Sequence, residues 1–306
     1  MKKIAVFFDA PGFDDYPFNR DTYRAAYYEL ASLLWSKGAQ LCIVRTEEAY
    51  LGGNIFAFAW CYEGKEFWKH DKPLTADLLF DKGLGKFMPD AKAKLLNPLS
   101  LDRLCVDKWL TYQAFPDFFP VTLRVENQNE LIGALARIPG DIIVAKPLDG
   151  EEGAGVVIGS RDEVRDAVQH FPYLLQEFID TSSGIPGVVE GRHDFRIINV
   201  NGDIVNSFVR TPAPGKMVAN TAQGGTKQDV PAEKIPPEAL ALFAKIETYM
   251  REHFPTRVYS VDMGRHADGQ WKLIELNSKP GLTPRAQGPR AAAYQERLAE
   301  LMLAAA

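Results

Sequence analysis

Near the C-terminal end of this 306-residue chain, the stretch KLIELNSKPG (272–281) sets Glu275 and Asn277 two positions apart in a strand-like apolar run. Side chains two apart on a strand share a face, so a carboxylate and an amide converge where both lose water. The strands RVYSVDMG and WKLIELN are joined by RHADGQ, whose Asp268-Gly269 fits a type I′ hairpin turn. A turn centred there sets Asp262 opposite Glu275, with side chains about 4.5–5.5 Å apart. Two carboxylates and an amide oxygen at that spacing suit a hard divalent cation, and Mg²⁺ in particular is held by one or two carboxylates plus substrate phosphates. Phosphates need a cradle of their own. IIVAKPLDGEEGAGVVIG offers one: a strand bearing Lys146, a loop carrying Gly153 and Gly155, and a second strand. Glycine lets backbone N–H groups approach phosphate oxygens. The stretch matches neither G-x-x-x-x-G-K-[ST] nor G-x-G-x-x-G, which excludes a P-loop or a Rossmann fingerprint here.

These residues need elements to hold them. KIAVFF, RDTYRAAYYELASLLWSKG and AQLCIVR read as strand, helix and strand, a β-α-β opening that predicts a doubly wound N-terminal layer. A looser stretch runs from about Gly52 to Asn97. One helix is expected around LDRLCVDKWLTYQAF, then strands flanking Lys146, a helix near RDEVRDAVQHF and the strand YLLQEFI. HDFRIINVNGDIVNSFVR reads as a hairpin turning at Asn201-Gly202. That pairing puts Asp194 and Arg196 on one face and turns Arg210 away unless a bulge intervenes, which favours Arg196 for chemistry. PPEALALFAKIETYMREHF places Leu242, Ile246, Tyr249 and Met250 on one helical face, and AAAYQERLAELMLAAA reads as a closing helix. The segment after the first strand, where α/β sheets place ligands, carries Arg20, Tyr23 and Arg24 as substrate candidates.

Length and charge bound the function. The chain suffices for one large α/β unit or two to three subdomains. A net charge of −5 gives no electrostatic reason to expect a nucleic-acid partner, so an anionic ligand requires a local cluster of cations. Cys42, Cys61 and Cys105 are an odd, unclustered set and read as buried thiols rather than disulfides or ligands. The short apolar run after Met1 turns acidic, unlike a signal peptide, and no run approaches the roughly 18 apolar residues of a membrane span. Together these read as a soluble, reduced, cytoplasmic protein with no membrane partner.

The ordered motifs from about Leu101 to Pro284 resemble the ATP-grasp superfamily of carboxylate-amine ligases, nearest the glutamate-adding, lysine-biosynthesis and glutathione synthetase-type branch. The resemblance implies an α/β protein with α+β sandwich lobes: an N-terminal domain over 1–100, a central lobe over 101–180 and a C-terminal lobe over 181–306. It implies ATP and two Mg²⁺ ions, or Mn²⁺, as cofactors. Lys108 and Lys146 would then reach the phosphates, under the glycines of the Gly153/Gly155 loop. The backbone at Glu177 and Phe178 would read the adenine edge, and Asp194 would lie near the ribose. Arg196, with Lys146, would act on the reacting groups, and Asn220 would sit beside the phosphates. Asp262, Glu275 and Asn277 would hold the metal, with Glu275 bridging. Relatives often carry arginine where this chain has Val218 and Gln223: at the first position either Lys216 or Arg210 supplies the charge or the substrate differs, and the second departure speaks against reading a carboxylate-bearing acceptor from the resemblance. The implied reaction joins a small-molecule or peptide carboxylate to an amine through an acylphosphate, releasing ADP and phosphate. The alternatives are an ATP-grasp kinase or a non-catalytic ATP-binding regulator; a homo-oligomer is compatible with either.

Overall fold

The β-α-β opening forms as expected in a computed structural model that describes residues 1–83, 87–148, 154–217, 219 and 224–306: β1 (Lys2–Phe8), α1 (Asp21–Ser36) and β2 (Ala39–Arg45), with β1 and β2 parallel. Both strands are nearly continuous apolar runs because both faces are buried. The looser stretch is built of short strands: β3 (Tyr50–Gly52), β4 (Ile55–Phe56), β5 (Ala59–Tyr62), β6 (Phe67–His70), β7 (Leu74–Thr75) and β8 (Leu78–Asp81). β8 adds to β1 in parallel and β5–β6 extend β2 antiparallel, giving the order β6-β5-β2-β1-β8; β3, β4 and β7 form a small sheet of their own. Pairing β2 with β5 sets Cys42 opposite Cys61, and the two form a disulfide. This corrects the reading of three reduced thiols; only Cys105 is free, and it is buried. The pairing is a tertiary one across 19 residues, which cysteine spacing does not disclose.

The single helix expected before Lys146 is two: α2 (Leu99–Val106) and α3 (Lys108–Ala114). Asp107 between them is extended, and its carboxylate accepts the Trp109 and Leu110 amide hydrogens as the N-cap of α3. Lys108 is therefore the first residue of a helix rather than an interior one. β9 (Thr122–Val125), α4 (Gln128–Leu135), β10 (Ile143–Pro147), β11 (Val157–Gly159), α5 (Arg161–Ala167) and β12 (Tyr173–Glu177) come next along the chain. Their antiparallel sheet, ordered β11-β10-β12-β9, packs one face on α4 and α5 around Leu131, Ile143, Val164 and Leu175.

The third sheet is β13 (Asp194–Val200), β14 (Asp203–Thr211), β15 (Thr226–Asp229), β16 (Val258–Arg265) and β17 (Trp271–Asn277), ordered β15-β14-β13-β16-β17. α6 (Pro237–His253) buries Leu242, Ile246 and Met250 against it, as the helical spacing predicts. α7 (Pro289–Ala305) packs Tyr294, Leu298 and Met302 into a core shared by β1, α1 and the ends of β13 and β14. No helix among the described residues is long and apolar enough to cross a membrane.

Two irregularities in this sheet aim its charged residues. Asn201 (φ 51°) and Gly202 (φ 106°) make the expected two-residue turn, and a bulge comes directly after it. Asn199 pairs with Ile204 but Ile198 pairs with Asn206, which leaves Val205 as the extra residue. Beyond it Arg210 stands opposite Asp194 on the face that also carries Arg196, so the expectation that Arg210 turns away is corrected. In the second hairpin the His266 amide donates to the Gln270 carbonyl, leaving a three-residue loop, one longer than the type I′ turn anticipated. A bulge at Ile274 offsets it, and Asp262 pairs with Glu275 as expected.

Candidate active site

A cleft of about 700 Å³ runs between the three larger sheets. Lys108, Lys146, Glu177, Phe178, Asp194, Arg196, Glu275 and Asn277 all line it. Asp262 lies just beneath, 1% exposed. Gly155 is not in the lining; at φ +72° it closes the β10–β11 connection, where the Tyr173 hydroxyl donates to its carbonyl at 3.1 Å. Gly153 and Asn220, and with them Val218 and Gln223, lie outside the described residues. Among the described lining residues, Arg20, Lys82, Lys108, Lys146, Arg196, Arg210 and Lys279 face only Glu177, Asp194 and Glu275. The cleft is thus locally positive in an acidic chain, as an anionic ligand requires.

At the third-sheet wall, Arg196 and Arg210 are interleaved with Asp194, Asp262 and Glu275. Arg196 makes a bidentate contact with Asp262. Arg210 pairs with Asp194 and donates to Asp262 at 2.6 Å. The Arg196 guanidinium lies 3.8 Å from a Glu275 oxygen. Burial pushes all three carboxyls upward, but the two arginines hold Asp262 below the usual carboxylate range. Asp194 and Glu275 stay raised, by burial and by the fixed charge on Asp262.

The opposite wall comes from the second sheet. Lys146 points from β10 and donates to the Gln176 side-chain oxygen at 2.9 Å. Gln176 is oriented by its own bond to the Thr122 hydroxyl. Burial lowers Lys146 to about 8, with Glu275 pulling the other way. The Glu177 amide donates to the Val121 carbonyl at 2.9 Å, so its N–H is already committed to the sheet edge. The Arg192 guanidinium covers the Phe178 ring at 5.8 Å.

Asp262, Glu275 and Asn277 offer the donor set of a hard divalent cation, and the opposed register brings the two carboxylates together. Glu275 and Asn277 face the cleft, whereas both Asp262 oxygens are taken by arginines and the Asn277 side-chain oxygen accepts the Lys279 amide at 2.7 Å. Of the three, Glu275 is the carboxylate that faces the cleft, and among the described residues no group of three or more His, Cys, Asp or Glu is arranged to hold a metal ion. Sequence reasoning missed two residues here. Arg210 was hidden by the bulge. Lys279, in the SKPG just past Asn277, bonds Asp81 at 2.8 Å and the Gly83 carbonyl at 2.7 Å, tying the end of β17 to β8. Arg24 does not line the cleft; it pairs with Asp14 and donates to the Phe18 carbonyl.

Three sheets around a cationic cleft give this chain the fold of solved ATP-grasp ligases. D-alanyl-alanine synthetase A from Vibrio cholerae superposes on 99% of this chain and 98% of its own at a TM-score of 0.65 and 12% identity, a likeness of fold alone. More narrowly, residues 108–253 match the ATP-grasp domain of prokaryotic glutathione synthetase. A probable alpha-L-glutamate ligase of Shewanella halifaxensis is 31% identical over 47% of this chain and 30% of its own length. A glutathione synthetase of Prochlorococcus marinus is 30% identical over 61% and 57%. The matched part thus spans less than two thirds of either curated relative's length.

Proposed function

We propose that this chain is an ATP-dependent ligase that joins a carboxylate to an amine through an acylphosphate and releases ADP and phosphate. The observation that carries the reading is the single cleft faced by Lys108 and Lys146 from one side and by Arg196, Glu275 and Asn277 from the other. Lys108 and Lys146 bind the phosphates and offset their charge, and the strand end at Glu177 and Phe178 holds the adenine. Asp194 approaches the ribose. Arg196, oriented by its bidentate contact with Asp262, stabilises charge on the carboxylate and phosphoryl groups as they meet; Arg210 keeps Asp194 and Asp262 in place. Mg²⁺, held by Glu275 and Asn277 with Asp262 beneath, would screen the phosphate oxygens. No side-chain nucleophile is needed, since the catalysis is positioning and electrostatics.

The test is phosphate release from ATP and Mg²⁺ with candidate acids, with and without amines. Turnover that requires both acid and amine is the expected result. Turnover with a hydroxyl acceptor alone would indicate a kinase, and binding without turnover a regulator.

A further inference from the structure

Past Asn277 the cleft continues to the first sheet, where Tyr16, Arg20, Tyr23, Lys82 and Gly281 line it. Resting on the ligase reading above, we propose that this end is a recognition subsite for the carboxylate of a small free acid, such as an amino acid, with Arg20 as its partner.

Contiguity places the subsite beside the reacting end. The Lys279 amide bonds Asn277, the Lys82 ammonium donates to the Pro280 carbonyl at 2.8 Å, and Gly281 abuts α1 so closely that a Cβ there would meet the Tyr23 hydroxyl oxygen at 2.6 Å. The first turn of α1 is therefore packed on the segment that leaves the candidate metal residues.

Charge selects an anion. Arg196, Arg210 and Lys279 are each held by a carboxylate, whereas Arg20 has no ion pair among the described residues. Its guanidinium instead lies 5.1 Å from the Tyr16 ring centroid, which leaves the fork of donors open toward a carboxylate. Among the described residues no carboxylate lines this end before Glu275.

The loop behind this end is fixed from within, although Tyr16 and Arg20 are themselves exposed. Arg45, fully buried at the end of β2, donates to the carbonyls of Phe13 at 2.8 Å and Tyr16 at 2.7 Å and sits between the Phe8 and Phe18 rings at 5.2 and 5.1 Å. A buried guanidinium with no carboxylate in direct contact among the described residues is costly, even with Asp15 and Asp14 nearby, and here it fixes the loop that carries Tyr16 and leads into Arg20. A wall fixed in this way presents its donors with less ordering cost on binding.

The experiment measures phosphate release from the full chain with ATP and Mg²⁺ against each common amino acid and succinate, together with ADP binding by calorimetry. At least one acid should stimulate release. Arg20→Gln should raise that acid's KM roughly tenfold or more while the KM for ATP stays within about twofold, and Arg20→Lys should recover part of the loss. Arg45→Lys should shift the same KM and spare that for ATP. An unchanged acid KM in Arg20→Gln overturns the subsite. Stimulation by none of these acids, with ADP binding intact, also overturns it and leaves the nucleotide site standing; absent ADP binding would overturn the nucleotide reading itself.

Discussion

Arg196 and Arg210 together contact Asp194, Asp262 and Glu275, so the wall of the cleft carries one more acidic group than basic and leaves Glu275 the least satisfied. That imbalance is what a cation at Glu275 would relieve. Glu275→Gln removes the charge while keeping the shape. It should leave the melting temperature within a few degrees of wild type and lower ATP turnover by about 100-fold or more, read as phosphate release at saturating Mg²⁺. Near wild-type release would remove Glu275 from the metal. Lys146 supplies a pH test. Its folded value of about 8 lies below the ordinary 10.5, so the unfolded chain binds more protons between those limits and stability rises with pH across that window. Nucleotide affinity should run the other way, because the ammonium that meets the phosphates is lost as pH climbs through about 8. Calorimetric titration of ATP across that range should show affinity falling for wild type and staying flat for Lys146→Arg; a flat wild-type profile would remove Lys146 from the phosphates.

Each candidate residue depends on how its element begins or ends. Lys108 opens α3 only because Asp107 ends α2 and caps the new helix. Asp107→Ala should cost about 1 kcal/mol in denaturant unfolding and weaken ADP binding through the displaced lysine. Loss of stability with unchanged ADP affinity would separate the cap from the site. Motif order in the sequence was enough to expect Lys146, Asp194, Arg196, Glu275 and Asn277 together, and all five line one cleft, since strand alternation and an Asn-Gly or Asp-Gly turn are local signals. Arg210 was not legible. Its face depends on the extra residue Val205, and a bulge is set by the neighbouring strands rather than by the local pattern. Asp262 was placed correctly although its loop was misjudged, because the longer loop and the bulge at Ile274 cancel. The short strands β3 to β8 escaped notice for a related reason. At two to four residues each they are too brief for alternation to register, and they are defined by their partners.

At the scale of the whole molecule, the cores are unequally joined. Ile198, Val200, Val205 and Phe208 of the third sheet share one apolar cluster with Ile4, Val6, Leu30 and Leu34 of the first layer, bridged by Tyr294, Leu298 and Met302 of α7. The second sheet and its two helices keep a separate cluster of their own around Leu131 and Ile143. Two of the cleft's walls therefore share one core and the third keeps its own, so the third is expected to move as a flap against a body formed by the other two. Native-state hydrogen exchange should show β1, β2, β13 and β14 opening together at the highest free energy, with β9, β10 and β12 opening as a unit below it. Adding ADP should slow exchange most in the second group, since a nucleotide pinned between Lys146 and Asp194 would latch the flap to the body; equal slowing in both groups would mean that the three walls breathe as one.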